Sequence, residues 1–183
     1  MFDLRDLEIT GCKEITPRIW CDHRGRFVKI FHRDEFAARG LATEFLEEVY
    51  SISSRGVLRG LHFQGPPQSQ AKLVYCLEGV VLDAVVDLRV GSPTYGMNAT
   101  CELSADRANG LYVPEGMAQG FLTTSERALV CYRSTSAYAP ECEGALLWSS
   151  AGIAWPTDDP ILSEKDRRAT PLPDLRSPFG WTP

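Results

Sequence analysis

Residues 54–64, with the sequence SRGVLRGLHFQ, bring together groups that could bind a small anion and transfer a proton. Arg55 and Arg59 supply two cations, and His62 follows them just before a Gly-Pro-Pro turn. Histidine has an ordinary pKa close to neutral pH, so it is a frequent acid or base. A histidine in a strand-like segment is nevertheless more often a core residue, and His62 by itself does not establish a reaction.

Three further residues indicate chemistry only in combination with this segment. Lys72 in isolation is typical of an edge strand, Tyr132 of an apolar core, and Asp166 of a helix cap or a solvated surface. None of the three indicates a catalytic role by its own position. The elements that carry them must therefore bring them to one place before they form a site.

Most of the chain is predicted to form β-strands. Residues 71–78, 80–88, 97–103 and 128–136 are β-branched or alternating runs of strand length, and turn residues separate them. Short strands at such spacing are typical of a β-sandwich or barrel. Alternation places Ala128, Val130 and Tyr132 on one face of the last of these strands.

Helices are predicted to be few and short. One covers residues 33–39 and ends at Gly40, which stands where a C-terminal glycine is expected. A second, over residues 163–168, would begin after Ser163 as its N-cap. Six prolines interrupt residues 156–183, so we expect this segment to close over the β-core.

Composition indicates one globular domain and excludes several kinds of partner. The chain has 183 residues, of which 44% are hydrophobic and 23% charged, and its formal net charge is −5 at pH 7. An acidic chain without basic runs is not expected to bind nucleic acid or an anionic membrane. The N-terminus lacks the layout of a signal peptide, and the most apolar stretch, residues 80–86, is too short to span a membrane. We therefore expect a cytoplasmic protein.

The six cysteines are predicted to be reduced and to bind no metal. No pair has C-x-x-C spacing, and the chain has only three histidines to complete a set of ligands. Four of the cysteines lie in apolar or alternating stretches, where a thiol usually packs as a small apolar group.

Several sequence strings occur together in the order found in one known family. They are GVLRGLHFQ (56–64), QAKLV (70–74), VDLR (86–89), GSPTYG (91–96), PEG (114–116), YAPE (138–141) and ILSEKD (161–166). These strings span nearly the whole chain, which makes the match far more specific than a single short motif. The chain resembles the dTDP-4-dehydrorhamnose 3,5-epimerase family.

The resemblance implies an all-β fold and an isomerase that needs no metal or redox cofactor. The family fold is a cupin-type double-stranded β-helix, or jelly roll, expected here as one domain over residues 1–183 with short peripheral helices. Family members form homodimers that exchange N-terminal strands, which would place roughly residues 1–50 at the interface. They invert C3, C5 or both in a nucleotide-diphospho-4-keto-6-deoxy sugar, in deoxysugar and surface-polysaccharide biosynthesis.

The same resemblance assigns catalytic roles to four residues. His62 matches the general base, and Asp166 matches the carboxylate that fixes the tautomer of the base. Tyr132 matches the acid that returns a proton on the opposite face of the sugar. Lys72 matches the cation beside the ketone oxygen, where negative charge develops in the enolate.

The resemblance also implies a set of substrate-binding residues. Arg59 and, from the partner subunit, Arg24 would bind the diphosphate. The remaining candidates are Phe27, Lys29, Gln64, Asp83, Gln119 and Tyr138. In a regular strand Arg59 and His62 point to opposite faces, so we expect a bulge near Gly60 to bring both into one site.

Three departures from the family pattern leave the substrate open. Gln119 stands where the family usually has a histidine, and an amide can donate a hydrogen bond but cannot carry charge. Lys29 stands where thymidine-specific members tend to have glutamate, and EEVYS (47–51) replaces a segment whose Gln and Asn help hold the nucleotide. The nucleotide is therefore open between dTDP, CDP and GDP, and the sugar between a hexose and a heptose.

The alternative is a cupin that binds a nucleotide sugar without productive catalysis, and Gln119 is its best support. A Gln119→His substitution would restore activity to a damaged enzyme but would change a specialised enzyme little. A metal-dependent cupin would typically need a His-x-His pair, which the chain lacks.

Overall fold

The computed structural model describes residues 2–182. The elements in this range are β1 (Phe2–Asp6), β2 (Lys13–Pro17), β3 (Ile19–Asp22), β4 (Gly25–Val28), α1 (Arg33–Ala37), β5 (Glu47–Ser54), β6 (Leu58–Gln64), β7 (Lys72–Glu78), β8 (Val80–Asp87), β9 (Asn98–Ser104), β10 (Gly110–Val113), β11 (Met117–Thr123), β12 (Arg127–Ser134), β13 (Glu143–Ala145) and α2 (Glu164–Arg167). The four strands predicted individually correspond to β7, β8, β9 and β12, and their ends differ by at most two residues.

The strands form two antiparallel sheets and a separate hairpin. The six-stranded sheet has the order β1-β2-β10-β7-β12-β5, and the five-stranded sheet has the order β13-β6-β11-β8-β9. The hairpin consists of β3 and β4. Neighbouring strands in each sheet are often distant in the sequence, as in a jelly roll. The prediction of an all-β fold is confirmed.

Strand alternation builds the core between the two sheets. Val74 on β7, Val85 on β8, and Ala128 and Val130 on β12 belong to one buried cluster, and Tyr132 packs against it. The predicted inward face of β12 is therefore confirmed. Because side chains alternate along a strand, every second residue beyond this cluster on the same strands also points into the space between the sheets.

The outer face of each sheet is also covered. Phe36 of α1 and Leu41 after it pack on the outside of the six-stranded sheet. Leu172, Leu175 and Phe179 of the C-terminal segment pack with residues on the outside of the five-stranded sheet. These segments cover a large part of each outer face, so the space between the sheets and its rim is the first place to look for a site.

Both predicted helices form, and each is shorter than predicted. Gly40 follows α1 with a φ of +69°, which glycine adopts without strain. The Oγ of Ser163 accepts a hydrogen bond from the backbone N–H of Asp166 at 3.1 Å, so Ser163 caps α2 as predicted. No helix within the described range is long and apolar enough to cross a lipid bilayer.

Four cysteines, Cys12, Cys76, Cys101 and Cys131, are buried in apolar clusters. Burial raises the pKa of Cys12 and of Cys101 to about 12, so these two thiols stay protonated. The four thiols pack as small apolar groups, as predicted. Among residues 2–182, no three His, Cys, Asp or Glu side chains come together as a potential metal site.

β6 contains the predicted bulge. Gln119 on β11 lies opposite His62, and Phe121 lies opposite Arg59, so β6 has one more residue than β11 between the two pairs. Gly60 lies within this stretch with a φ of +133°, a conformation that favours glycine. The extra residue allows Arg59 and His62 to project to the same side of the strand.

Replacing Gly60 with alanine is expected to destabilise the fold by about 3 kcal/mol. A Cβ atom at Gly60 would lie 2.6 Å from the Cα of Gly120, a backbone atom that cannot rotate away. Urea unfolding measures the loss. Gly96→Ala is the matched control, because Gly96 also has a positive φ, of +76°, but open space around it. Equal losses in the two variants would contradict a cost from the close approach to Gly120.

Candidate active site

Polar side chains continue the inward rows of the core on strands from both sheets. Lys72 on β7 and Tyr132 on β12 belong to the six-stranded sheet. His62 on β6 and Gln119 on β11 belong to the five-stranded sheet. The lining between the sheets therefore changes from apolar to polar, and the polar part holds these four of the residues that the sequence analysis singles out.

His62 and Asp166 form a hydrogen-bonded pair although 104 residues separate them in the sequence, with His62 Nε2 and Asp166 Oδ1 2.6 Å apart. The Asp166 side chain is 4% exposed and that of His62 is 32% exposed, so the ring faces the open space and the carboxylate supports it from behind. Burial raises the pKa of Asp166, but the hydrogen bond and charge of His62, together with hydrogen bonds from Ser163 and the Gly60 backbone, hold it below the usual value.

Lys72 lies on an inner strand of its sheet, not at an edge, and is 9% exposed. Its Nζ lies 3.4 Å from Gln119 Oε1 and 3.5 Å from the backbone oxygen of His62. Burial lowers the pKa of Lys72 to about 8, and the charges of Asp83 and Glu143 oppose this effect. Lys72 is therefore still mainly a cation at neutral pH, although it is buried.

Tyr132 and Arg59 lie side by side near β5. Burial raises the pKa of the Tyr132 phenol, which the charge of Arg59 opposes, so the phenol keeps its proton at neutral pH. The Nε of Arg59 donates to Ser53 Oγ at 2.9 Å, and Nη2 donates to the backbone oxygen of Ile52 at 3.3 Å. These bonds hold the exposed guanidinium at the rim, where an anionic group could reach it.

Glu143 is a rim residue that the sequence analysis does not identify. Its Oε2 accepts from the hydroxyl of Tyr138 at 2.8 Å, and its Oε1 lies 2.5 Å from the Nζ of Lys165. Burial raises the pKa of Glu143, but the hydrogen bonds from Lys165 and Tyr138, with the charge of Lys165 and a smaller effect of His62, hold it below its usual value. Glu143 begins a strand of three residues, which is too short for alternation to mark an inward position.

Two residues predicted to bind substrate, Gln64 and Asp83, are buried. Gln64 is 2% exposed and Asp83 is 0% exposed. The Gln64 amide makes hydrogen bonds to Gln68, Ser136, Ala137 and Ala139. Asp83 lies behind Gln119, and its Oδ2 accepts from Gln119 Nε2 at 2.8 Å. In this chain Gln64 holds neighbouring loops in place and Asp83 contacts Gln119, and a direct contact of either residue with substrate stays a prediction.

Three other candidates, Arg24, Phe27 and Lys29, lie on or just after the β3–β4 hairpin. Arg24 forms an ion pair within the hairpin, and Phe27 is 64% exposed. Within residues 2–182, no hydrogen bond, ion pair or ring contact joins these three side chains to those around His62. One chain does not bring them to the site, so their binding role stays a prediction that requires a second subunit.

The arrangement is suited to removing a proton from one face of a substrate and returning one to the other. His62 belongs to one sheet and Tyr132 to the facing sheet, so a ring held between them would meet a base on one side and a phenol on the other. Lys72 supplies a fixed positive charge inside the same space, where a developing anion would be stabilised.

Comparisons with known proteins identify the family. The family described as dTDP-4-dehydrorhamnose 3,5-epimerase has a model that matches residues 6–174. The dTDP-4-dehydrorhamnose 3-epimerase of Streptomyces niveus is 43% identical over 176 residues, which cover 94% of this chain and 85% of that protein. The dTDP-4-dehydrorhamnose 3,5-epimerase of Shigella flexneri is 42% identical over 162 residues, which cover 87% of this chain and 90% of that protein.

Solved structures show the same fold. The dTDP-6-deoxy-D-glucose-3,5-epimerase of Legionella pneumophila, in complex with dTDP-4-keto-L-rhamnose, has a TM-score of 0.95 and 33% identity and covers 100% of both chains. The 4-keto-6-deoxy sugar epimerase from the novobiocin gene cluster of Streptomyces spheroides has a TM-score of 0.90 and 41% identity, over 94% of this chain and 88% of that one. The cupin-type jelly roll is confirmed, and the chain belongs to the dTDP-4-dehydrorhamnose 3,5-epimerase family.

Proposed function

We propose that this protein inverts C3, C5 or both in a nucleoside diphospho-4-keto-6-deoxy sugar. The observation that carries the proposal is the placement of His62, paired with Asp166, on one sheet and Tyr132 on the facing sheet. The relatives described above are named as sugar epimerases, so the comparisons give no support to a non-catalytic binding protein.

The pairing with Asp166 decides which nitrogen of His62 acts as the base. An ionised carboxylate can only accept a hydrogen bond, so Nε2 of His62 carries the hydrogen that lies between the two side chains. Neutral imidazole then has its lone pair on Nδ1. Nδ1 is therefore the atom that would take the proton from the sugar, while the hydrogen bond to Asp166 holds the ring in place.

The reaction consists of two proton transfers through an enolate. Nδ1 of His62 takes the proton from C3 or C5, the electron pair of that C–H bond forms a C=C bond, and the C4 oxygen becomes negative. Lys72 stabilises this oxygen. The Tyr132 hydroxyl then gives its proton to the same carbon from the other face, and the C4 ketone forms again. Solvent returns both side chains to their starting protonation states.

Arg59 is proposed to bind the diphosphate, and its support is an exposed guanidinium close enough to Tyr132 to affect the pKa of the phenol. The relatives are named for dTDP-linked sugars, which makes dTDP the first nucleotide to test. On β5, Val49 lies opposite Tyr132, and Glu47 accepts from the backbone N–H of Tyr138 at 3.0 Å. By resemblance, relatives have Gln and Asn in this segment, and these amides help hold the nucleotide. Glu47 and Val49 offer a nucleobase different hydrogen-bond partners, so CDP and GDP sugars belong in the same test.

The protein is further proposed to form a homodimer. β5 is an edge strand, and its side chains Val49, Tyr50 and Ile52 are exposed. An unpaired edge with exposed apolar side chains favours association with another chain. Sedimentation velocity is expected to give twice the chain mass of 20.3 kDa. A monomer at micromolar concentration would contradict the proposal and would leave Arg24 without access to a site.

Proton NMR in D₂O tests the proposed function. The purified protein is mixed in turn with dTDP-, CDP- and GDP-linked 4-keto-6-deoxy sugars, and deuterium entry at C3 and C5 is followed. Exchange at one or both carbons would support the enolate mechanism, and its rate with each sugar would identify the nucleotide. Saturable binding without exchange for all three sugars would overturn the proposal.

A further inference from the structure

Three buried polar side chains form a row across the inside of the sandwich. Lys72 Nζ lies 3.4 Å from Gln119 Oε1, and Gln119 Nε2 lies 2.8 Å from Asp83 Oδ2. Lys72, Gln119 and Asp83 are 9%, 7% and 0% exposed. They come from β7, β11 and β8, so the row joins the two sheets at the inner end of the polar space.

The direction of the Gln119 amide follows from its two neighbours. A carboxylate accepts and an ammonium donates, so the NH₂ group faces Asp83 and the carbonyl oxygen faces Lys72. The NH₂ group is thereby committed to Asp83. The neutral amide aligns its dipole between the two groups but carries no net charge. The Asp83 carboxylate is therefore the buried group that can offset the positive charge of Lys72.

We propose that Asp83 is a positioning residue that acts through the Gln119 amide to keep Lys72 charged and aimed at the place where the substrate ketone would lie. The role of Lys72 in this statement rests on the proposed function. The electrostatic coupling of Asp83 to Lys72 does not, and it can be measured without substrate.

The charges around Lys72 give the expected sign. Burial lowers the pKa of Lys72 and raises that of Asp83 well above its usual value, and each charge opposes the effect of burial on the other. Glu143 on β13 also favours the charged form of Lys72. His62 on β6 meets Lys72 through its backbone oxygen. The coupling acts in the pH range where Asp83 is ionised, and there the loss of its carboxylate leaves Lys72 with a lower pKa and a larger neutral fraction.

Lysine-selective ¹³C NMR provides the activity-independent test. The chain has four lysines, Lys13, Lys29, Lys72 and Lys165, so the ε-carbon signals can be assigned by substitution. In Asp83→Asn, the titration midpoint of Lys72 is expected to fall by about one pH unit. Thr123→Val is the matched control, since Thr123 is also buried on β11 and its hydroxyl has no hydrogen-bond partner among the described residues. An unchanged Lys72 midpoint in Asp83→Asn would overturn the proposal.

A double-substitution cycle tests whether Asp83 acts through Gln119. Asp83→Leu and Gln119→Met are each expected to lower kcat by about tenfold, because both disturb Lys72. The double variant should be no slower than the worse single variant. Additive losses would overturn the relay through Gln119. If the wild-type protein exchanges no substrate proton while Asp83→Asn still shows the expected fall in the Lys72 midpoint, the proposed function is refuted and this coupling stays intact.

Discussion

His62→Ala is expected to lower the rate of proton exchange on the sugar by about 10³-fold. The substitution removes Nδ1, the only nitrogen that the pairing with Asp166 leaves free to accept the substrate proton. The fold should persist, because the His62 side chain is 32% exposed and fills little of the core. Deuterium entry at C3 and C5, measured with the nucleotide sugar that the wild-type protein prefers, gives the rate directly.

His32→Ala is the matched control for the loss of a histidine. His32 precedes α1 and makes no side-chain capping hydrogen bond, and α1 packs on the outside of the six-stranded sheet. Its removal should leave the exchange rate within about twofold. An exchange rate in His62→Ala close to that of the wild-type protein would refute the assignment of His62 as the base.

Tyr132→Phe is expected to separate proton exchange from inversion. Phenylalanine keeps the packing against the inner core but has no proton to give, so formation of the inverted sugar should fall by about 10²-fold. His62 and its partner are untouched, so the enolate still forms and can take deuterium back from the side of His62. NMR should then show deuterated substrate with its original configuration.

The comparison of two rates makes this result specific. Tyr95→Phe, in an exposed loop position, controls for loss of a phenol and should leave both rates unchanged. If deuterium exchange and inversion fell by the same factor in Tyr132→Phe, the phenol would also be needed to form the enolate. That result would contradict a role limited to the second proton transfer. A normal yield of inverted product would remove Tyr132 from the mechanism.

Local sequence pattern predicts the strands of this fold and the direction of their side chains. The run around Val130 alternates, so Ala128, Val130 and Tyr132 are placed correctly on the inner face. The alternation depends on neighbours in the chain, which is the information that local pattern carries. The bulge at Gly60 is expected for a different reason, because the family resemblance implies that Arg59 and His62 share a site.

Depth and long-range pairing are not encoded in the local pattern. Gln64 and Asp83 are polar residues on strands, a pattern that is typical of a binding site. The structure buries both side chains beneath their neighbours, at 2% and 0% exposure. Nothing in the spacing around Glu143 indicates that β13 will pair with β6 beside His62. Such contacts depend on which strands become neighbours in the sheets, and this cannot be read from the local pattern of residues in one sequence.

Asp166 comes from a part of the chain that follows the last strand of the sandwich. Ribosomes synthesise a protein from its N-terminus to its C-terminus. Every strand, including the one with His62, is therefore made before the Asp166 carboxylate that orients the imidazole. A nascent chain could therefore complete its sheets and still lack a correctly oriented base. The onset of activity during translation is then a signal that the C-terminal segment has docked, and not that the sheets have formed.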